Sequence, residues 1–205
     1  MMKFGIRGKE MLGVSVNVLR RLAKKVGKDH ELALRLWDTG IHEAMLLATM
    51  VDDPASVTTG QMEKWVRQFD SWDLCDGCCG NLFDKTPFAY SKALAWSRAQ
   101  AEFVKRAGFA MMAWLAVHDK SADDSRFIAF FPAIRKGSTD ERNFVKKAVN
   151  WALRSIGKRN ANLNVKAIAE ATSIWKLDSK SAKWIAADAQ RELKSSAVKK
   201  KLRAA

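Results

Sequence analysis

The sequence predicts an all-α protein built as a stack of antiparallel helix pairs, and three observations predict it. Apolar residues recur at three- and four-residue spacing along most of the 205-residue chain, the signature of a helix with one buried face. Alternating β-branched runs bounded by turn residues, which would mark strands, are missing. Finally, Phe103-Val104-Lys105-Arg106-Ala107 returns 41 residues later as Phe144-Val145-Lys146-Lys147-Ala148. Forty-odd residues is the period of HEAT-type helical pairs, which pack side by side into a superhelix with a concave face. With 48% hydrophobic residues, eight Trp and three Pro, the chain is neither disordered nor collagen-like. Its length suits one domain, residues 1–205, with a basic tail frayed from about 195 onward.

Helix-breaking and capping residues divide the chain into elements. Ser15 opens Val16–Val26 and Gly27 ends it; Leu32–Asp38 runs into Gly40; Ile41–Val51 stops at Asp53-Pro54; Gly60–Phe69 follows. Ser71 opens Trp72–Leu82, and Thr86-Pro87 separates it from Tyr90–Trp96. Ala101–His118 precedes Ser125–Ile134, which ends before Lys136-Gly137. Thr139 stands ahead of Arg142–Lys158, Val165–Leu177 ends at Asp178, and Ser179 opens Lys180–Leu193. No connection is long enough to act as a linker between domains.

The formal net charge of +14 is unevenly placed: residues 142–205 carry sixteen basic and four acidic side chains, the preceding 141 twenty and eighteen. A field of one sign attracts polyanions, and each cation set on a phosphate releases counterions, so nucleic acid is the leading partner class. The concave face is therefore expected to be basic and to bind DNA. No apolar run spans a bilayer and the first residues lack a signal-peptide core, which predicts a cytoplasmic protein without a membrane partner. Cys75, Cys78 and Cys79, crowded into five positions, cannot staple distant segments and read as free thiols.

Two clusters carry chemistry. On the Arg142–Lys158 helix, Val145, Val149, Ala152 and Ile156 form the apolar stripe, and Lys147, Trp151, Arg154 and Lys158 fall on the opposite side. An aromatic among cations suits a polyanion, the indole on a sugar or base and the cations on phosphates; the alternative is Trp151 packed beneath a neighbouring element. Arg106 takes the place of Lys147 in the echoed helix, as a phosphate contact or as a surface partner of Glu102. In the second cluster Trp72 and Asp76 are one turn apart, an aromatic plate beside a carboxylate, with Cys75, Cys78 and Leu82 facing the core. Asp70 and Asp73 read as acids that stabilise a helix start. A carboxylate in a protein that attracts phosphates needs a task, and Asp76 is the candidate. A zinc site from the three cysteines with His42 or His118 lacks the split-pair spacing. His30 and His42 read as ordinary polar residues at helix starts, and His118 as a cation favoured at a helix end.

These stretches resemble the DNA alkylation repair family of AlkD type, the HEAT-like-repeat alkylpurine DNA glycosylases. The resemblance runs through Leu36-Trp37, Gly40-Ile41-His42-Glu43-Ala44, Phe69-Asp70-Ser71-Trp72-Asp73-Leu74-Cys75-Asp76, Phe103 to Ala107 and Asn143 to Arg154, nearly the whole chain. It implies sugar-facing tryptophans at Trp72 and Trp151, an essential carboxylate at Asp76, and phosphate-contacting arginines at Arg106 and Arg154; Lys147 and Lys158, on the stripe opposite the apolar face, read as further DNA contacts. Where the family carries an early DNA-contacting tyrosine, this chain has Phe4. The implied activity is monofunctional hydrolysis of the N-glycosidic bond of 3-methyladenine or 7-methylguanine in duplex DNA, without base flipping. A monomer using neither metal nor organic cofactor is expected. The rival expectations are a non-enzymatic helical-repeat module that binds damaged or distorted DNA, and a protein–protein scaffold.

Overall fold

The computed structural model describes residues 10–203; Phe4 lies outside them. The described chain is all-helical: α1 (Val16–Val26), α2 (His30–Asp38), α3 (His42–Val51), α4 (Thr59–Val66), α5 (Trp72–Asn81), α6 (Ala89–Trp96), α7 (Glu102–His118), α8 (Asp124–Ile128), α9 (Phe131–Gly137), α10 (Asn143–Gly157), α11 (Ala161–Trp175), α12 (Lys180–Leu193) and α13 (Ser196–Arg203), with a 3₁₀ turn at Phe83–Lys85. Among the described residues, β pairing is confined to one isolated bridge between Glu10 and Ile41. None of these helices is long and apolar enough to cross a membrane.

Local hydrogen bonds set the helix starts, and some differ from the sequence expectation. The Asp29 carboxylate accepts from Leu32 N at 2.8 Å, so α2 begins at His30 rather than Leu32. Asn160 does the same for Leu163 N at 2.9 Å and starts α11 at Ala161, four residues before Val165. Thr58 caps α4 through Gln61 N and Ser179 caps α12 through Ala182 N, whereas Ser15 and Ser71 stand at the cap position without accepting a bond. Thr139 donates instead to Lys136 O at 3.2 Å. The single helix expected over Ser125–Ile134 is two, α8 and α9. Pro132, which has no N–H to offer a preceding turn, sits in the first turn of α9, where that loss is harmless. Gly40, at φ +71°, makes the left-handed turn between α2 and α3 that a side chain would strain.

Residue contacts group the chain into two compact units, residues 1–89 and 90–205. In the first, Trp37 lies flat on Trp65, centroids 3.8 Å apart and planes 2° apart, both 1% exposed, with Phe69 against Trp37 and Phe83 against Trp65. Such an aromatic pair adds about 1 kcal/mol to the stabilisation from area burial. Glu43, 3% exposed, accepts from Leu12 N at 2.8 Å and Gly13 N at 2.7 Å and so ties the segment before α1 to α3.

In the second unit α7 packs on α10 and α10 on α12. The two phenylalanines of the sequence echo, Phe103 and Phe144, meet with centroids 5.3 Å apart, so the echo marks neighbouring repeats in space. A Cβ on Gly108 would stand 2.3 Å from Ser97 N, a clash that reserves this position in α7 for glycine. Polar contacts between helices recur at regular sequence separations. They are 31 and 32 residues for Trp37–Gln68 and Asn81–Thr49 in the first unit, and 35, 36 and 38 for Arg135–Glu170, Asn160–Asp124 and Asn150–Asp188 in the second. That rhythm is the repeat expressed as contacts, each helix bonding its counterpart in the next pair.

Candidate nucleic-acid interface

The first unit holds the tryptophan–carboxylate pair. Trp72 opens α5 and Asp76 follows one turn later; both are half-buried, at the edge of the face that buries Cys75, Cys78 and Cys79. None of the three cysteines is in a disulfide, and all are wholly buried, with Leu82 also in the core. Burial pushes the Cys78 and Cys79 thiols well up, and for Cys79 the Asp76 charge adds to the shift, so neither is a nucleophile at neutral pH.

Beside this pair lies a contact the sequence reading missed. His42, 3% exposed, is more than an ordinary polar residue at a helix start: its Nε2 is 2.8 Å from Asp73 Oδ2, joining α3 to α5. The hydrogen bond to Asp73 raises the His42 pKa against the opposing effect of burial. Burial alone would raise Asp73, but the hydrogen bond and charge of His42 outweigh it and hold the carboxyl below its ordinary value. Asp73 thus orients the helix that carries Trp72 and Asp76. The sequence signal was the separation of 31 residues between His42 and Asp73, which is the repeat distance of this unit.

The second unit holds Arg106, Lys147, Trp151, Arg154 and Lys158. Trp151 is half-buried and packs edge-on against Trp114 of α7, centroids 5.3 Å apart at 81°, while Trp114 stacks on His118 at 4.8 Å. It is thus partly covered, as one alternative held, yet keeps a face to solvent. Lys147 is exposed. Arg106 departs from the surface cation anticipated: it is 6% exposed and its Nη1 donates to Phe144 O at 2.6 Å, holding the first turn of α10 onto α7.

Arg154 and Lys158, which the sequence assigns to phosphates, are paired with carboxylates in the structure. Arg154 Nη1 bonds Glu192 and lies 3.3 Å from Asp188 Oδ2, and Lys158 Nζ donates to Glu192 Oε1 at 2.6 Å. Asn150 Nδ2 donates to the same Asp188 oxygen at 2.7 Å, and Arg191 pairs with its other oxygen. The α10 series Asn150, Arg154, Lys158 therefore faces the α12 pair Asp188 and Glu192. Asn150 Oδ1 and Arg154 Nε are buried without a hydrogen-bond partner, so the network is only partly satisfied.

Charge divides along the same units. Residues 1–89 carry twelve basic and twelve acidic side chains, residues 90–205 twenty-four and ten, so the whole excess belongs to the second.

Comparison with known proteins places this geometry. The family model for DNA alkylation repair enzymes matches residues 1–199. Uncharacterised proteins of Listeria innocua and Listeria monocytogenes are 23% and 21% identical over 171 residues, covering 82% of this chain and 74% of theirs. Among solved structures, a member of a family related to the HEAT-like repeat DNA glycosylases, with affinity for branched DNA structures, superimposes with a TM-score of 0.76. It is 21% identical and the match covers 93% of this chain and 86% of that one, a likeness that shows the HEAT-like repeat fold. The chain, all-helical and carrying Trp72, Asp76 and Trp151 on its repeats, belongs to the DNA alkylation repair enzyme family.

Proposed function

We infer that the protein binds duplex DNA and hydrolyses the N-glycosidic bond of cationic N3- or N7-alkylated purines, leaving an abasic site without cutting the strand. The observation that carries this reading is Asp76, a half-buried carboxylate one turn from Trp72 on a helix braced by the His42–Asp73 pair. Alkylation places a positive charge on the base, so it departs with the bonding electron pair and needs no general acid. As the bond stretches, positive charge grows on the deoxyribose. Asp76 stabilises that charge and aligns the water that adds at C1′, while the neighbouring Trp72 holds the sugar against its π face. Removing one preorganised electrostatic partner costs about 10²–10³ in rate.

A second reading, recognition of distorted or branched DNA without chemistry, draws support from one observation: the superimposing structure comes from a family with affinity for branched DNA. The two readings part at Asp76. Wild-type protein and Asp76→Asn are incubated with methylated duplex DNA, and release of 7-methylguanine and 3-methyladenine is recorded alongside binding. Release by wild type that falls at least about 10²-fold in the variant, with binding intact, supports the glycosylase. Binding by both with release by neither makes the protein a recognition module.

A further inference from the structure

The burial pattern of α10 returns on α12 at an offset of 33 residues. Ala148, Val149, Ala152, Leu153 and Ile156 are buried, and so are Ser181, Ala182, Ile185, Ala186 and Ala189. In this register Lys147 corresponds to Lys180, Trp151 to Trp184 and Lys158 to Arg191. Trp184 therefore occupies on α12 the position Trp151 occupies on α10, on the side away from the core. Where Trp151 packs edge-on to Trp114, Trp184 is 42% exposed, and Lys146 Nζ lies 5.2 Å from its ring centre.

The charge around this indole is positive. Lys180 and Lys183 are exposed on the same helix. Glu141, whose charge interacts with Lys146 and Lys180, accepts from Ser179 Oγ at 2.9 Å and Ser181 N at 3.1 Å. Asp188, one turn after Trp184, is held by Asn150, Arg154 and Arg191. An exposed indole set among lysines fits the chemistry of a nucleic acid base between phosphates. In intact duplex the base faces are covered by their neighbours, so the partner that fits is a nucleotide out of the stack.

We propose that Trp184 is a stacking platform for an unpaired nucleotide of DNA, with Lys146, Lys180 and Lys183 on the adjoining phosphates; this rests on the DNA-binding reading above. Lys146, on a flexible four-carbon stem, leaves the ring for a phosphate when a base takes its place.

The test is fluorescence anisotropy with a labelled duplex containing a short single-stranded gap and the same duplex without it, for wild type, Trp184→Ala and Trp184→Phe, with thermal melts to show that each variant is folded. Trp184→Ala is expected to weaken binding to the gapped duplex about tenfold and to the intact one less than about twofold, with Trp184→Phe close to wild type. Equal weakening on both duplexes, or none on the gapped one, overturns the proposal and leaves DNA binding standing. Tighter binding of wild type to single-stranded RNA of the gap sequence than to gapped DNA also overturns it. Failure of wild type to bind either duplex overturns the DNA-binding reading itself.

Discussion

His42 and Asp73 stabilise the first unit over a pH window that their shifted pKa values define. The raised His42 contributes stability that is complete below its unfolded value, about 6.5, and is lost as pH rises through the folded value. The lowered Asp73 contributes stability that is present above its unfolded value, about 3.9, and is lost as pH falls through the folded one. Together they act fully between about pH 4 and 6.5. Near pH 6, Asp73→Asn removes the carboxylate that keeps the buried His42 protonated, so the imidazole sheds its proton, and the lost charged hydrogen bond should cost roughly 1–3 kcal/mol, read from denaturant unfolding. The gap in melting temperature between wild type and His42→Gln should shrink as pH rises from about 6 to about 8; a gap that stays constant would show that the pair is not titrating. Each of these residues alone reads as an ordinary polar group at a helix start, because the coupling is made by tertiary packing. Trp72 and Asp76 were legible, since residues four apart on a helix are neighbours whatever surrounds them.

At the scale of the element, the α10–α12 seam decides what the basic stripe can do. Heptad-like spacing on α10 shows that Trp151, Arg154 and Lys158 leave the core, but not what they meet there. Asp188 and Glu192 lie 34 and more residues from those cations, and only the stacking of the two helices brings them together. For the same reason the Asn160 cap and the break at Pro132 refine helix ends that periodicity alone misplaces. The seam also predicts a measurable competition. DNA phosphates that take Arg154 or Lys158 must displace Glu192, so Glu192→Gln should tighten DNA binding. It should also steepen the dependence of log affinity on log salt by about one further cation released to phosphate. An unchanged slope would mean that these two cations serve only to join α10 to α12.

For the molecule as a whole, the division of charge between the units assigns them different work. The first unit is balanced, twelve against twelve, and holds the carboxylate Asp76 in surroundings that do not draw phosphates. The second holds the whole excess of +14, a field of one sign that would draw a polyanion such as the proposed DNA from a distance. The sequence showed that charge gathers toward the C-terminal end, but the position of the dividing line follows from the contacts, which separate the units at residue 89. Cations of the second unit should therefore dominate the salt dependence of binding, irrespective of DNA sequence. Lys147→Ala with Lys180→Ala, two exposed side chains in equivalent positions on α10 and α12, should flatten the log–log salt slope by about two units. Arg20→Ala with Arg21→Ala, exposed on α1, removes the same charge from the first unit and should leave the slope nearly unchanged. Affinity measured by anisotropy from about 50 to 200 mM salt separates the two outcomes. Equal flattening by both pairs would mean that attraction depends on net charge alone and that the division between units has no part in recognition.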